Sequence, residues 1–363
     1  MTTGKSSRLP GIDLFRGLAV IAVAILHSDN HMPTHGWAAF LEHFASFAVP
    51  FFLATSFYLA VRKLYISQSP YSLRSRLSRL LIPYVIWTGI YLLFTLLKYT
   101  ISSREGEIGA IFRDPVSIIF LGSPAYHLYF IPLLLIGTLL LKGAEWLVQQ
   151  QIRVGTVLFL LILSEMAYEV ILISGNGFEL GANAAFQTAF SAVGINVQQY
   201  PLLRVGAIAI AWILRCLPYI ALALLWQHPF VQQRLPELGV RSVVITGLIF
   251  MLINIFGDRM LLVGIYEIAR GYTALIFALS LSTVIKDHPL ITSLGLCSFG
   301  IYLMHLIWVE TLKTVLGRIF PYLLTNVTAL TLLIFACLAC TISWFLTALL
   351  IRQKGFLPKA LFG

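Results

Sequence analysis

The sequence predicts an all-α protein: a polytopic bundle of about ten membrane-spanning helices with both termini in the cytoplasm. Three observations carry this expectation. Of 363 residues, 59% are hydrophobic and only 11% charged, where soluble domains have about 25% charged residues; mean hydropathy is +0.88. Apolar stretches of about 17 to 25 residues, long enough to cross a bilayer as a helix, recur along nearly the whole chain. These runs are continuous, whereas a β-barrel would alternate over about ten residues.

Ten spans follow, near 10–29, 43–62, 80–100, 127–145, 154–174, 201–226, 242–257, 260–285, 290–309 and 325–351. No stretch between them is large enough for a separate soluble core, so residues 1–363 are expected to form one polytopic domain. The first span has the size of a cleaved leader, but Asp13 and Arg16 interrupt its approach and no small-x-small cleavage site follows. It is therefore read as the first helix. Arg16 and His27 stand at the two ends of its apolar run. Eleven residues at about 100° each end about 20° past three turns, so both side chains share one stripe, about 16 Å apart. Asp13, three residues before Arg16, is spaced for a same-face ion pair.

His27, His31 and His35 have the spacing of metal ligands on one helical face. Pro33 breaks that face, and Asp29 and Asn30 suggest a turn, so no metal site is expected. The third span opens with Arg74, Arg76 and Arg79, the last two one turn apart. Such a cluster is either a topology anchor or a phosphate clamp, since guanidiniums bind phosphate bidentately. His127 and Tyr129 open the fourth span. Glu165 falls near the middle of the fifth, with Glu169 a turn further out, and Arg215 is central in the sixth, eleven residues after Arg204. Ionisable groups inside lipid need partners, so Glu165 and Arg215 are expected to face one another or a shared wet cavity.

The segment at 175–200 mixes turn residues with apolar ones and could re-enter the membrane. Glu267 and Arg270 in the eighth span are either a buried ion pair or a substrate contact. His305 lies toward the outer end of the ninth span, and with His27 and His127 could ring an outward-facing pocket. The four cysteines, including Cys337-x-x-Cys340, read as buried small hydrophobes. Sixteen Lys and Arg fall on the side of the termini and seven on the other, which places both ends in the cytoplasm. The net charge of +10 then reflects topology and anionic lipid rather than nucleic acid, because the basic residues are dispersed on short loops.

These residues resemble the membrane-bound acyltransferase 3 family, polytopic enzymes that O-acylate cell-envelope sugars. Five motifs in order carry the resemblance over most of the chain: Ile12-Asp13-Leu14-Phe15-Arg16 running on to His27; Phe51-Phe52-Leu53-Ala54-Thr55-Ser56-Phe57; Arg76-x-x-Arg79 leading to Pro83-Tyr84; His127-Leu128-Tyr129-Phe130-Ile131-Pro132; and Gly300-Ile301-Tyr302-Leu303-Met304-His305. Ser56 stands where the family usually has glycine, and Tyr129 where tryptophan is common. The resemblance implies an acyl-CoA donor, in the first place acetyl-CoA, as co-substrate on the cytoplasmic side, with no tightly bound cofactor. It also implies a carbohydrate or glycolipid acceptor, and a bacterial inner-membrane location. Arg16 and His27 would be essential, and Arg76 and Arg79 would serve catalysis or the donor, with Arg74 beside them. His27 could act as general base or carry the acyl group covalently. A transporter or flippase of a lipid-linked sugar is the rival, resting on Glu165, Arg215, Glu267 and Arg270.

Overall fold

The computed structural model describes residues 8–29, 33–66, 71–101, 106, 108–175, 185–353 and 355–363. It is 82% helical, with no strand among the described residues. In chain order the helices are α1 (Pro10–Leu26), α2 (Trp37–Ala45), α3 (Ala48–Ile66), α4 (Leu73–Ile101), α5 (Ile108–Ile111) and α6 (Pro115–Phe120). Then come α7 (Phe130–Gln149), α8 (Val154–Ile173), α9 (Gln187–Ala192), α10 (Pro201–Gln227), α11 (Pro229–Gln232) and α12 (Val240–Met260). The last are α13 (Val263–Leu281), α14 (Pro289–Ile319), α15 (Tyr322–Thr325), α16 (Ala329–Arg352) and α17 (Phe356–Phe362).

Among the described residues a long helix lies in each of the ten expected spans, although the second span begins in α2 and continues in α3. Among the described residues eight segments are long and apolar enough to cross a membrane, one of them joining α2 to α3. The two long helices outside that set are α1, with 17 residues, and α13, which carries Glu267 and Arg270. The chain is thus an integral, multi-pass helical protein. Of the segment at 175–200, residues 176–184 lie outside the described residues, and α9 and a short 3-10 turn at Val197–Gln199 form the rest.

The chain divides into two compact units, neither continuous in sequence. The first gathers Met1–Thr55, Pro236–Leu261 and Tyr266–Lys354; the second gathers Ser56–Leu235, Leu262–Ile265 and Gly355–Gly363.

In the first unit α1 is the central element. It is apolar nearly all round, the pattern of a helix enclosed by others, and twelve of its seventeen residues are buried. It packs on α14, α16 and α2. The approach to α14 is close because Gly17 lacks a side chain: a Cβ there would lie 2.0 Å from Leu294 Cδ2. Phe15 is enclosed by Phe47, Phe51, Phe250 and Phe277, with ring centroids 5.3–6.4 Å away. The expected second span is broken where α2 gives way to α3. The last carbonyls of a helix lack the usual intrahelical donors, and three of those in α2 are met by side chains. The Ser46 hydroxyl donates to the Glu42 carbonyl at 2.8 Å, the Arg270 guanidinium to that of His43 at 2.8 Å, and the Asn254 amide to that of Phe44 at 2.9 Å.

In the second unit α10 packs on α7 and α8, and α4 on α7. The buried aromatic and hydroxyl positions of α4 are Tyr84, Trp87, Thr88 and Tyr91, an i, i+3, i+4, i+7 stripe. The Trp87 indole donates to the Leu361 carbonyl at 2.9 Å and holds α17 against α4.

Candidate active site

The first unit brings together His27, His305 and Lys313. α1 ends at Leu26, and His27 is its cap residue. The half-buried His27 ring stacks on that of His305, with centroids 5.5 Å apart and planes at 22°. His305 is fully buried on α14. Its Nδ1 lies 2.7 Å from the Tyr302 carbonyl oxygen, which can only accept, so Nδ1 carries the proton and Nε2 is the basic nitrogen of the neutral ring. Lys313, two turns further along α14, is buried and donates from Nζ to the His27 carbonyl at 3.1 Å. Glu310 Oε1 lies 3.7 Å from the same ammonium. Of the three histidines expected to ring a pocket, His27 and His305 meet in this unit. Lys313 was hidden in the sequence, where it reads as one more charge near a span end.

At the other end of α1, Asp13 holds two arginines. Its Oδ2 accepts from Arg8 Nε at 2.7 Å, and its Oδ1 lies 3.9 Å from Arg16. Arg8 donates further to the Thr292 carbonyl at 3.3 Å. Asp13 is buried against α14 at Gly295, where a Cβ would stand 2.4 Å from Asp13 Oδ1. Arg16 is the looser member, its side chain one-third exposed. The expected Asp13–Arg16 pair exists, with Arg8 as the nearer partner. A carboxylate in the first turn and an ammonium on the last carbonyl also match both poles of the helix dipole.

In the second unit the arginines of α4 are mostly open. Arg74 and Arg79 are exposed, while Arg76 lies over the Tyr71 ring, 4.9 Å from its centroid. Lys142 of α7 is also over that ring, at 5.6 Å. Glu145 ties the group together: Oε1 accepts the Tyr71 backbone N–H at 2.5 Å and Oε2 the Lys142 ammonium at 2.7 Å. Burial pushes the Tyr71 phenol above its ordinary range, against the pull of Arg76. Tyr71, Lys142 and Glu145 were not expected here. Only the i, i+3 spacing of Lys142 and Glu145 hints at them.

His127 is buried, its ring edge-on to Tyr91 at 5.1 Å. The turn before it depends on Gly122, whose φ of 72° is left-handed and whose Cβ would lie 2.8 Å from the Leu128 backbone. Tyr129 is half-buried at the start of α7. His127 belongs to the second unit and His27 and His305 to the first. Glu165 and Arg215 lie on α8 and α10, which pack on each other. Glu169 accepts the N–H groups of Gly264 and Ile265 at 2.7 and 3.1 Å and so caps the start of α13. Glu165 is close by: a Cβ on Gly264 would stand 3.1 Å from its Oε1. Arg204 is buried and bonded to Asp114 and to the Ser117 hydroxyl. Burial works to raise the Asp114 carboxyl, but hydrogen bonds from Ser117 and Arg204 outweigh it and hold the group below its usual range. Arg270 meets the carbonyls of His43 and Asn254 and the Tyr266 ring, 4.5 Å from its centroid.

Among the described residues no group of three His, Cys, Asp or Glu could hold a metal ion. His31 lies outside the described residues, and Pro33, Thr34 and His35 are in no helix. Three of the four cysteines are buried as expected; Cys337 is exposed on the surface of α16.

An acyltransferase domain model, that of the acyltransferase 3 family, matches residues 9–348. The chain belongs to this family. It is a membrane acyltransferase, and the Arg16-to-His27 helix, the α4 arginines and His305 all fall inside the matched region. No curated protein and no solved structure matches the chain.

Proposed function

We propose that this acyltransferase moves an acyl group, in the first place acetyl, from acyl-CoA to a hydroxyl of a cell-envelope polysaccharide, glycolipid or lipid-linked sugar. The proposed setting is the bacterial inner membrane, with both termini cytoplasmic. The observation that carries the reading is the stacked His27–His305 pair, in which one imidazole is buried with its tautomer fixed and the other is half-exposed. A neutral imidazole suits proton transfer near neutral pH. As base, His27 takes the proton of the sugar hydroxyl while its oxygen attacks the thioester carbonyl; the carbon–sulfur bond breaks and coenzyme A leaves as thiol. As carrier, a His27 nitrogen attacks the thioester carbonyl, the carbon–sulfur bond breaks and coenzyme A leaves; the sugar hydroxyl then attacks the acyl group, the carbon–nitrogen bond breaks and the freed imidazole takes the hydroxyl proton. Both routes use the same pair.

Arg74, Arg76 and Arg79 are proposed to take the donor phosphates, and Arg16, held by Asp13, to act with His27. His127, Tyr129, Glu165 and Arg215 are the candidates for acceptor contacts. The transporter reading has lost support, because Arg270 is engaged at the end of α2. The test is acetyl transfer by the purified protein. His27→Ala and Arg16→Ala are expected to abolish turnover while the fold persists, and near-wild-type turnover of either variant would remove that residue from the mechanism.

A further inference from the structure

Lys313 stands out as a buried ammonium placed on a main-chain carbonyl. The His27 carbonyl lies just past the last turn of α1, where helix acceptors lack intrahelical donors. One residue later the chain shows how cheaply this need is met: Ser28 is buried and its hydroxyl donates to the Ala24 carbonyl at 2.7 Å. A neutral donor would have served His27 equally well. Burying an ammonium in a membrane protein is costly instead and marks functional positions. Glu310, itself partly exposed, lies 3.7 Å from the ammonium. The same helix supplies His305, eight residues or about 12 Å earlier, so α14 grips His27 twice, by its ring and by its main chain.

We infer that Lys313 is a positioning residue of the acyl-transfer centre: its ammonium fixes the turn that presents the His27 imidazole against His305, and the charge is required as well as the hydrogen bond. This rests on the proposed role of His27. The test compares full-length Lys313→Arg, Lys313→Gln and Lys313→Met in lipid nanodiscs, reading thiol release from acetyl-CoA in the presence of envelope glycans. Lys313→Met should lower kcat about 100-fold, the cost of a small misplacement at a reacting group, with KM for acetyl-CoA little changed. Lys313→Arg should restore most of it, and Lys313→Gln should not. Wild-type kcat in Lys313→Met, or equal activity of the Gln and Arg variants, would overturn the inference.

His27→Ala separates the two claims. If it is inactive while Lys313→Met is fully active, only the role of Lys313 fails; if it is active, the role of His27 fails first. A second measurement needs no substrate: modification of His27 by diethyl pyrocarbonate, followed by mass spectrometry. Labelling should be several-fold faster in Lys313→Met than in wild type or Lys313→Arg, and equal rates would count against the clamp.

Discussion

α1 and α4 both carry arginines into an apolar chain, yet they hold them in opposite ways. In α1, twelve of seventeen residues are buried; Asp13 binds two arginines against Gly295, and His27 is held by His305 and Lys313. In α4 only five of twenty-nine residues are buried, Arg74 and Arg79 are exposed, and Arg76 alone leans on an aromatic ring. Groups fixed from several sides suit a reaction with one geometry, because misplacement by about 1 Å costs rate steeply. Exposed guanidiniums suit capture of a flexible polyanion, which needs charge more than exact placement.

The contrast is most directly broken at His27. His27→Ala should lower acyl transfer by at least about 100-fold, the lower range for a lost acid–base group, measured as turnover of purified protein. Next is the packing beneath Asp13. Gly295→Ala puts a methyl group 2.4 Å from Asp13 Oδ1 and should cost about 1–3 kcal/mol of stability, seen as a lower thermal midpoint with lower activity. Gly206→Ala on α10, where a Cβ meets nothing within 4 Å, should leave both intact. On α4, Arg76→Gln should raise KM for acyl-CoA about tenfold, as for a lost charged hydrogen bond. Exposed Arg79→Gln should raise it less than about fivefold. Both effects should shrink with added salt, and a fall in kcat at constant KM would place these arginines with the chemistry instead.

The smallest effect concerns Asp114. Its carboxyl is held below the ordinary 3.8, so the stability it contributes is present above that value and lost as pH falls through the lower folded one. With its side chain 37% exposed, the contribution is about 1 kcal/mol or less. Melting curves of wild type and Asp114→Asn should differ at neutral pH and converge below about pH 3.8.

The long helices among the described residues were legible in the sequence as apolar stretches because hydrophobic length is a local property. The Arg16–His27 stripe was legible for the same reason, since helical periodicity needs no partner. What escaped reading depends on distant residues. The carbonyls at the break between α2 and α3 are met by donors at 254 and 270, which the span pattern at 43–62 could not contain. Glu169 and Arg270 read as intramembrane charges in need of counter-ions, whereas each serves the end of another helix. Tyr71 lay in what reads as a loop, and its partner Glu145 is seventy-four positions away.

The Lys313–His27 contact also sets an order of assembly. The two residues are separated by 286 positions, so a growing chain that has already placed α1 carries an unfinished turn there until α14 follows. The ring of His305 and the ammonium of Lys313 arrive together on α14, long after α1 has been made. A nascent or truncated chain that has not yet made α14 therefore cannot hold His27 in this setting.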